Sequence, residues 1–395
     1  MINNEMLKLG QERSAIRELF EQGKILKQKF GDDKVFDFSI GNPSVKAPDV
    51  VNESLVKIIN NTDSIKLHGY TSAEGDVNVR QAISEYLNKT YDANTDYNYI
   101  YLTVGAAAAL SITLRSLVNV GDEVIVFAPF FPEYDVFIKN ASGKTVIVKP
   151  DKNNFYPDFD DLKNKITDKT KAVIINSPNN PTGVFYNEDI IKKLVEIIDE
   201  KNKQYSNDIY IISDEPYREL LYLDEKYPFI TNYYDNSIVT YSFSKSLSLP
   251  GERVGYVLVN KNCNETSNVF KAICGAGRSL GYVCANSLFQ QLIPYVLGVT
   301  SDFNTYIKNK NYLEEHLERI GYKIINPDGA FYMFVKSPID DAVLFKDKAL
   351  KYNILVVPSN SFGINGYFRI SYCVDYDTIV NSIKNFELLY NECIK

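Results

Sequence analysis

From about residue 98 to 260, short β-branched or aromatic runs alternate with longer amphipathic ones, the pattern of strands and helices taken in turn. It predicts strands over 99–104, 123–128, 145–149, 172–176, 209–213, 238–243 and 254–259. Several of these runs are apolar at every position, as strands covered on both faces must be. Helix-length stretches at 106–117, 187–203 and 262–273 supply the crossovers that parallel strands need. The expected unit is α/β: a large three-layer domain around a mostly parallel seven-stranded sheet.

After residue 285 the pattern changes to two long helical stretches, short strands at 322–325, 331–335, 354–357 and 367–371, and a closing helix from Asp375. This predicts a smaller α+β domain. The first 45 residues, a helix followed by a strand at 35–40, are too few to fold alone and are expected to pack against it. The division expected is a large domain over 45–285 and a small discontinuous one from 1–44 and 286–395. A length of 395 residues accommodates both.

Composition changes this picture little. Hydrophobic residues are 45% and charged residues 24%, and the net charge is −7, which disfavours a non-specific nucleic-acid binder. Five scattered cysteines without a C-x-x-C pair argue against a disulfide framework or a zinc site. The N-terminal stretch MINNEMLKLGQERSAIRELF is charged and helical in pattern, with no apolar run of signal or membrane-span length. A cytoplasmic protein is expected, with no metal, nucleic-acid or membrane partner. With two histidines in the chain, chemistry has to run on other residues. Nine arginines against 34 lysines make each arginine informative.

Two phosphate-loop lookalikes fail. Gly143-Lys144-Thr145 lacks the glycine five residues before Gly143, where Ile138 stands. The segment 275–281 is one residue too long for G-x-G-x-x-G and is placed after a helix rather than a strand.

A stronger constellation lies at the ends of three predicted strands. Ser242-Phe243-Ser244-Lys245 closes one and is followed by Arg253; Ser213-Asp214-Glu215-Pro216-Tyr217 closes a second; Asn180 stands just beyond a third in Asn179-Asn180-Pro181-Thr182-Gly183. Ligands bind at the C-terminal strand ends of open α/β sheets. An amine, a carboxylate and an amide converging there suit a cationic heteroaromatic aldehyde: the lysine forms a Schiff base, the acid keeps a pyridine nitrogen protonated, and neutral donors stabilise the ring oxygen. That describes pyridoxal phosphate. Gly105 before Ala106 and Ala107 opens a helix whose free amides favour a phosphate dianion, and Ser242, Ser244 and Arg253 can complete the cradle.

These segments closely resemble the class I/II aminotransferases, the aspartate-aminotransferase-like fold type I pyridoxal-phosphate enzymes. The resemblance runs from Ser39-Ile40-Gly41-Asn42-Pro43 to Phe368-Arg369-Ile370-Ser371, with Asn180, Asp214, Lys245 and Arg369 in family order at intervals of 34, 31 and 124 residues. It implies that Lys245 carries the cofactor, Asp214 pairs with the pyridinium nitrogen, Asn180 and Tyr217 bond the ring oxygen, and Phe131 stacks on the ring. It further implies that Gly105, Ala106, Ala107, Ser242, Ser244 and Arg253 hold the phosphate, joined by Tyr70 from the neighbouring subunit of a homodimer with shared active sites. Arg369 matches the arginine that grips the substrate α-carboxylate, with Gly41 and Asn180 beside it. Pro358-Ser359 stands where the family has proline-glycine, a departure expected to affect loop shape.

The implied reaction is ping-pong transamination between an L-amino acid and a 2-oxo acid, with aspartate or glutamate and 2-oxoglutarate as candidates. The same scaffold also supports C–S β-elimination and decarboxylation. Arg278 lies in the segment from which dicarboxylate-using relatives bring a partner-subunit arginine to the distal carboxylate, though its register is off by a residue or two.

Overall fold

The computed structural model describes residues 2–11, 15–152 and 154–395. The predicted N-terminal helix is two, Asn4–Gln11 and Ala15–Phe30; residues 12–14 of that stretch lie outside the described residues. The first strand, β1 (Phe36–Asp37), is a two-residue remnant of the run predicted at 35–40.

Seven strands form the large sheet: β2 (Ile100–Thr103), β3 (Glu123–Phe127), β4 (Lys144–Val148), β5 (Thr170–Asn176), β6 (Tyr210–Asp214), β7 (Ser237–Ser242) and β8 (Gly255–Val259). Their order is β2-β8-β7-β6-β5-β3-β4. All pairs are parallel except the two that β8 makes, with β2 and β7. Successive residues face opposite sides, so Val173, Ile175 and Ile211 enter one apolar core while Ala172, Ile174 and Ile212 enter another. Both faces are covered, the physical reason these strands read as unbroken apolar runs.

The predicted crossover helices are present, Ala106–Leu117 with the expected bounds and the other two with shifted ends. Glu188–Tyr205 is capped by Asn187, whose Oδ1 accepts from the Ile190 amide at 3.2 Å. The helix expected at 262–273 runs instead over Thr266–Leu280 and ends on Gly281 with φ +77°. The glycine-rich stretch 275–281 is therefore the C-terminal end and C-cap of a helix, not a loop following one.

The small sheet is antiparallel in the order β12-β13-β10-β9, with β9 (Lys323–Ile325), β10 (Tyr332–Lys336), β12 (Val357–Pro358) and β13 (Tyr367–Ser371). The strand expected at 354–357 is split: β11 (Ile354–Leu355) pairs in parallel with β1, and β12 joins the small sheet. Chain start and chain end are thus bonded to each other. Ser359, in the glycine's place, accepts from the Tyr367 amide at 3.0 Å through Oγ, so the departure pins the loop before β13. No helix among the described residues is long and apolar enough to cross a membrane.

Candidate active site

β5, β6 and β7 are consecutive parallel neighbours, with Asn176 level with Asp214 and Asp214 level with Thr240. Their C-terminal ends therefore open on one side, and the segments that follow carry Asn180, Tyr217 and Lys245 to a single cleft of about 270 Å³. Asn176 organises this edge. Its Nδ2 donates to the Asp214 carbonyl at 2.8 Å, and its Oδ1 accepts from the Asn180 amide at 2.8 Å.

The Asp214 carboxylate is buried. Oδ2 accepts from the Tyr134 hydroxyl at 2.7 Å and Oδ1 from Thr240 Oγ1 at 3.2 Å. Burial pushes its pKa up to about 7; the two donors oppose the shift by favouring the carboxylate, and nearby Glu215 adds to it. A buried carboxylate of this kind is suited to a cationic partner.

Lys245 lies in the short helix Phe243–Ser246 that follows β7. Its Nζ donates to the Gly41 carbonyl at 2.7 Å, bringing the amine against the N-terminal segment. Burial lowers its pKa to about 8, and the charges of Arg253 and Arg369 act in the same direction. The amine is therefore available as a nucleophile or base nearer neutrality than an ordinary lysine.

An anion cradle adjoins it. Gly105 has φ +92° and begins the helix Ala106–Leu117; a Cβ there would approach Arg253 Nη2 to 2.8 Å. The guanidinium thus lies at a helix N-terminus whose first amides have no intrahelical partners. Ser242 Oγ and Ser244 Oγ are 2.6 Å apart and, with Arg253, line the same cleft. This donor set fits a phosphate, and Asp214 across the cleft fits a protonated ring nitrogen.

At the other end stands Arg369, 1% exposed. Nη1 donates to Asn180 Oδ1 at 3.0 Å and Nη2 to the Ser39 carbonyl at 2.5 Å, while Nε has no partner. A buried guanidinium with an unsatisfied N–H is prepared for an anion. Because Asn180 Oδ1 is engaged by Arg369, its Nδ2 remains to donate into the cleft. Tyr217, Phe131, Gly41, Ala106 and Ala107 also line it.

Two predicted site residues are elsewhere in this chain. Tyr70 is 99% exposed and Arg278 is exposed on the helix Thr266–Leu280; neither lines the cleft. Sequence reading also missed Tyr134 and Tyr332. Tyr134 lies in the first turn of the helix Glu133–Asn140 and Phe131 just before its cap; a turn bond from the Tyr134 amide to the Phe131 carbonyl at 3.0 Å brings the two rings edge to face, 5.6 Å apart. Nothing in the sequence distinguishes Tyr332 among 29 tyrosines.

A profile of the family described as aminotransferase class I and II matches residues 33–385. The aspartate aminotransferase of Thermotoga maritima is 30% identical over 383 residues, 96% of this chain and 97% of its own. That of Pyrococcus horikoshii is 30% identical over 385 residues, 95% and 94% of the two chains. Among solved structures, an amino transferase from Eubacterium rectale superposes with a TM-score of 0.98 at 50% identity, covering 100% of both chains. The T. maritima aspartate aminotransferase does so with a TM-score of 0.87 at 30% identity, over 99% and 100% of the two chains.

Proposed function

The chain belongs to the class I and II aminotransferases, and on that premise we propose how its own residues divide the work of moving an amino group between an amino acid and a 2-oxo acid. It is a pyridoxal-phosphate-dependent enzyme of fold type I. When bound, the cofactor supplies an aldehyde for amines and a cationic ring that accepts electron density. Lys245 Nζ is the attachment point and the base that moves the substrate's α-proton. Asp214 holds negative charge opposite the ring nitrogen, and Tyr217 and Asn180 Nδ2 donate to the ring oxygen. Phe131 covers the ring. Ser242, Ser244, Arg253 and the amides of Ala106 and Ala107 hold the phosphate, and Arg369 takes the α-carboxylate. The observation that carries this reading is the convergence of Lys245, Asp214 and Arg369 on one cleft.

The working unit of the proposal is a homodimer. Tyr70 and Ile65 are 99% and 85% exposed, and Tyr282 and Val283 are exposed close by, since Cys284 Sγ lies 3.3 Å from the Thr71 carbonyl. A second copy seated on this face would bury these side chains and bring each Tyr70 towards the other subunit's phosphate cradle. The division into a large domain and a small one built from both chain ends is kept, supported by the pairing of β1 with β11. The helix Ser287–Val296, beyond the division at 286, packs against Asp49–Asn61 of the large domain. Five unpaired cysteines support a reducing compartment, the cytoplasm.

For the donor we propose aspartate or glutamate with 2-oxoglutarate as acceptor, supported by the relatives named for aspartate. Lys245, Arg253 and Arg369 are the cations lining the cleft among the described residues, each already given a role above, and for a second carboxylate Arg278 of the partner subunit is proposed. The experiment is a panel of amino-acid half-reactions followed through the cofactor's absorbance, in wild type and in Arg278→Ala. The variant should lose activity on dicarboxylates far more than on alanine or aromatic amino acids. Equal losses would remove Arg278 from the assignment, and acceptor-independent release of ammonia and pyruvate would mark a lyase instead.

A further inference from the structure

Tyr332 touches three of the segments that build the cleft. It opens β10, where Phe334 lies opposite Arg369 of β13; Tyr332, two residues earlier, is on the same face as Phe334 and diagonal to the arginine. Its ring consequently lies under the guanidinium, with Arg369 Cζ 4.5 Å from the ring centroid. Its hydroxyl is 2.9 Å from the Tyr217 hydroxyl, and the two rings cross at 82° with centroids 5.6 Å apart. The third contact is with the N-terminal segment: a Cβ on Gly41 would collide with the Tyr332 hydroxyl. Tyr332 is buried in the wall of the cleft.

We propose that Tyr332 is a positioning residue that couples the two ends of the site: its hydroxyl donates to Tyr217, and its ring sets the plane of the Arg369 guanidinium. The inference rests on Tyr217 being the donor to the cofactor's ring oxygen. Once Tyr217 gives its single proton to that oxygen, its own oxygen can only accept, and Tyr332 is the neighbouring hydroxyl placed to donate. Hydrogen bonds in such a chain strengthen one another. Burial holds the Tyr332 phenol at about 12 and that of Tyr217 well above its usual value, so both keep their protons through the working pH range. At the other end, the aromatic face restrains the guanidinium through a cation–π contact while its edge remains for a carboxylate.

The test uses the holoenzyme and three variants, Tyr332→Phe, Tyr332→Leu and Tyr217→Phe. The first reading is a spectrophotometric pH titration of the bound cofactor. Without the Tyr332 hydroxyl, Tyr217 donates less strongly, more negative charge stays on the ring oxygen, and the proton on the lysine linkage is held more tightly. Tyr332→Phe should raise the titration midpoint by about half a unit, with KM for the amino acid changed less than about twofold because the ring remains. Tyr332→Leu should in addition raise KM about tenfold. In a Tyr217→Phe background, Tyr332→Phe should produce no further shift.

An unmoved midpoint in Tyr332→Phe, or a shift that adds in full to that of Tyr217→Phe, overturns the inference. If Tyr332→Leu does not fold, the cycle between the two phenylalanine variants decides alone. A wild-type protein with no titrating cofactor band that Lys245→Ala abolishes would instead bring down the functional reading itself.

Discussion

The Tyr134 hydroxyl donates to Asp214 Oδ2 at 2.7 Å, joining the segment that carries Phe131 to the end of β6. A donor aimed at a buried carboxylate favours its charged form, the form a protonated ring nitrogen requires. Tyr134→Phe should therefore raise the dissociation constant of pyridoxal phosphate roughly tenfold, the loss expected for one hydrogen bond to a charged group. Equilibrium dialysis against the cofactor measures it, and an unchanged constant would show that Thr240 alone suffices.

Asp214 also predicts a pH dependence in protein stripped of its cofactor. Burial raises its pKa from 3.8 in the unfolded chain to about 7 in the folded one. Between those values the native state binds more protons than the unfolded state, so this group's contribution to stability falls as pH rises. Asp214→Asn removes that titration. The stripped variant should melt a few degrees above stripped wild type at pH 8, with the gap closing towards pH 4. A pH-independent gap would contradict the assignment.

The depressed pKa of Lys245, about 8, governs how fast stripped protein takes its cofactor back. Only the neutral amine attacks an aldehyde. The rate of reconstitution should climb with pH and level off above about 8, where an ordinary lysine would keep gaining to beyond pH 10. Stopped-flow absorbance at several pH values distinguishes the two profiles.

Arg369→Lys keeps the charge and loses the fork. A lysine cannot bond Asn180 and Ser39 and still offer a bidentate edge to a carboxylate. Catalytic efficiency kcat/KM should fall on the order of 100-fold, while the cofactor stays bound as in wild type because the phosphate cradle and Asp214 make no bond to Arg369. A matching loss of cofactor binding would mean that Arg369 acts on the cleft as a whole.

Beneath the site, Arg218 is buried against Glu215 at 2.8 Å and Glu219 at 3.3 Å, with the Tyr91 and Tyr241 rings 4.8 and 4.4 Å from its Cζ. Replacing it with methionine leaves Glu215 buried without its cation. Arg218→Met should cost about 3–5 kcal/mol of stability, read from urea unfolding of the holoenzyme, and Glu215→Gln in the same protein should restore part of it. Independent, additive losses would show that the pair is not coupled.

Much of the large domain could be read along the chain, because strands covered on both faces have to be apolar throughout and the C-terminal ends of parallel strands face one way. For the same reason Asn180, Asp214 and Lys245 were recognisable in advance: each follows a strand whose direction the alternating pattern implies. The small domain was harder. Phe36–Asp37 is a strand only because Ile354–Leu355 lies beside it, and the run at 354–357 divides because its two halves meet different partners.

What the sequence determined by itself was the set of chemical groups and their order: an amide, a carboxylate and an amine at the ends of three strands, then an arginine within a later one. Only the tertiary structure decided their protonation and their supports. A pKa near 7 or 8 arises from burial, and burial is a property of everything packed around a group. Tyr134 and Tyr332 gain their places from residues 80 and 115 positions away in the chain, and no local pattern can encode a contact whose two halves are assembled by the fold.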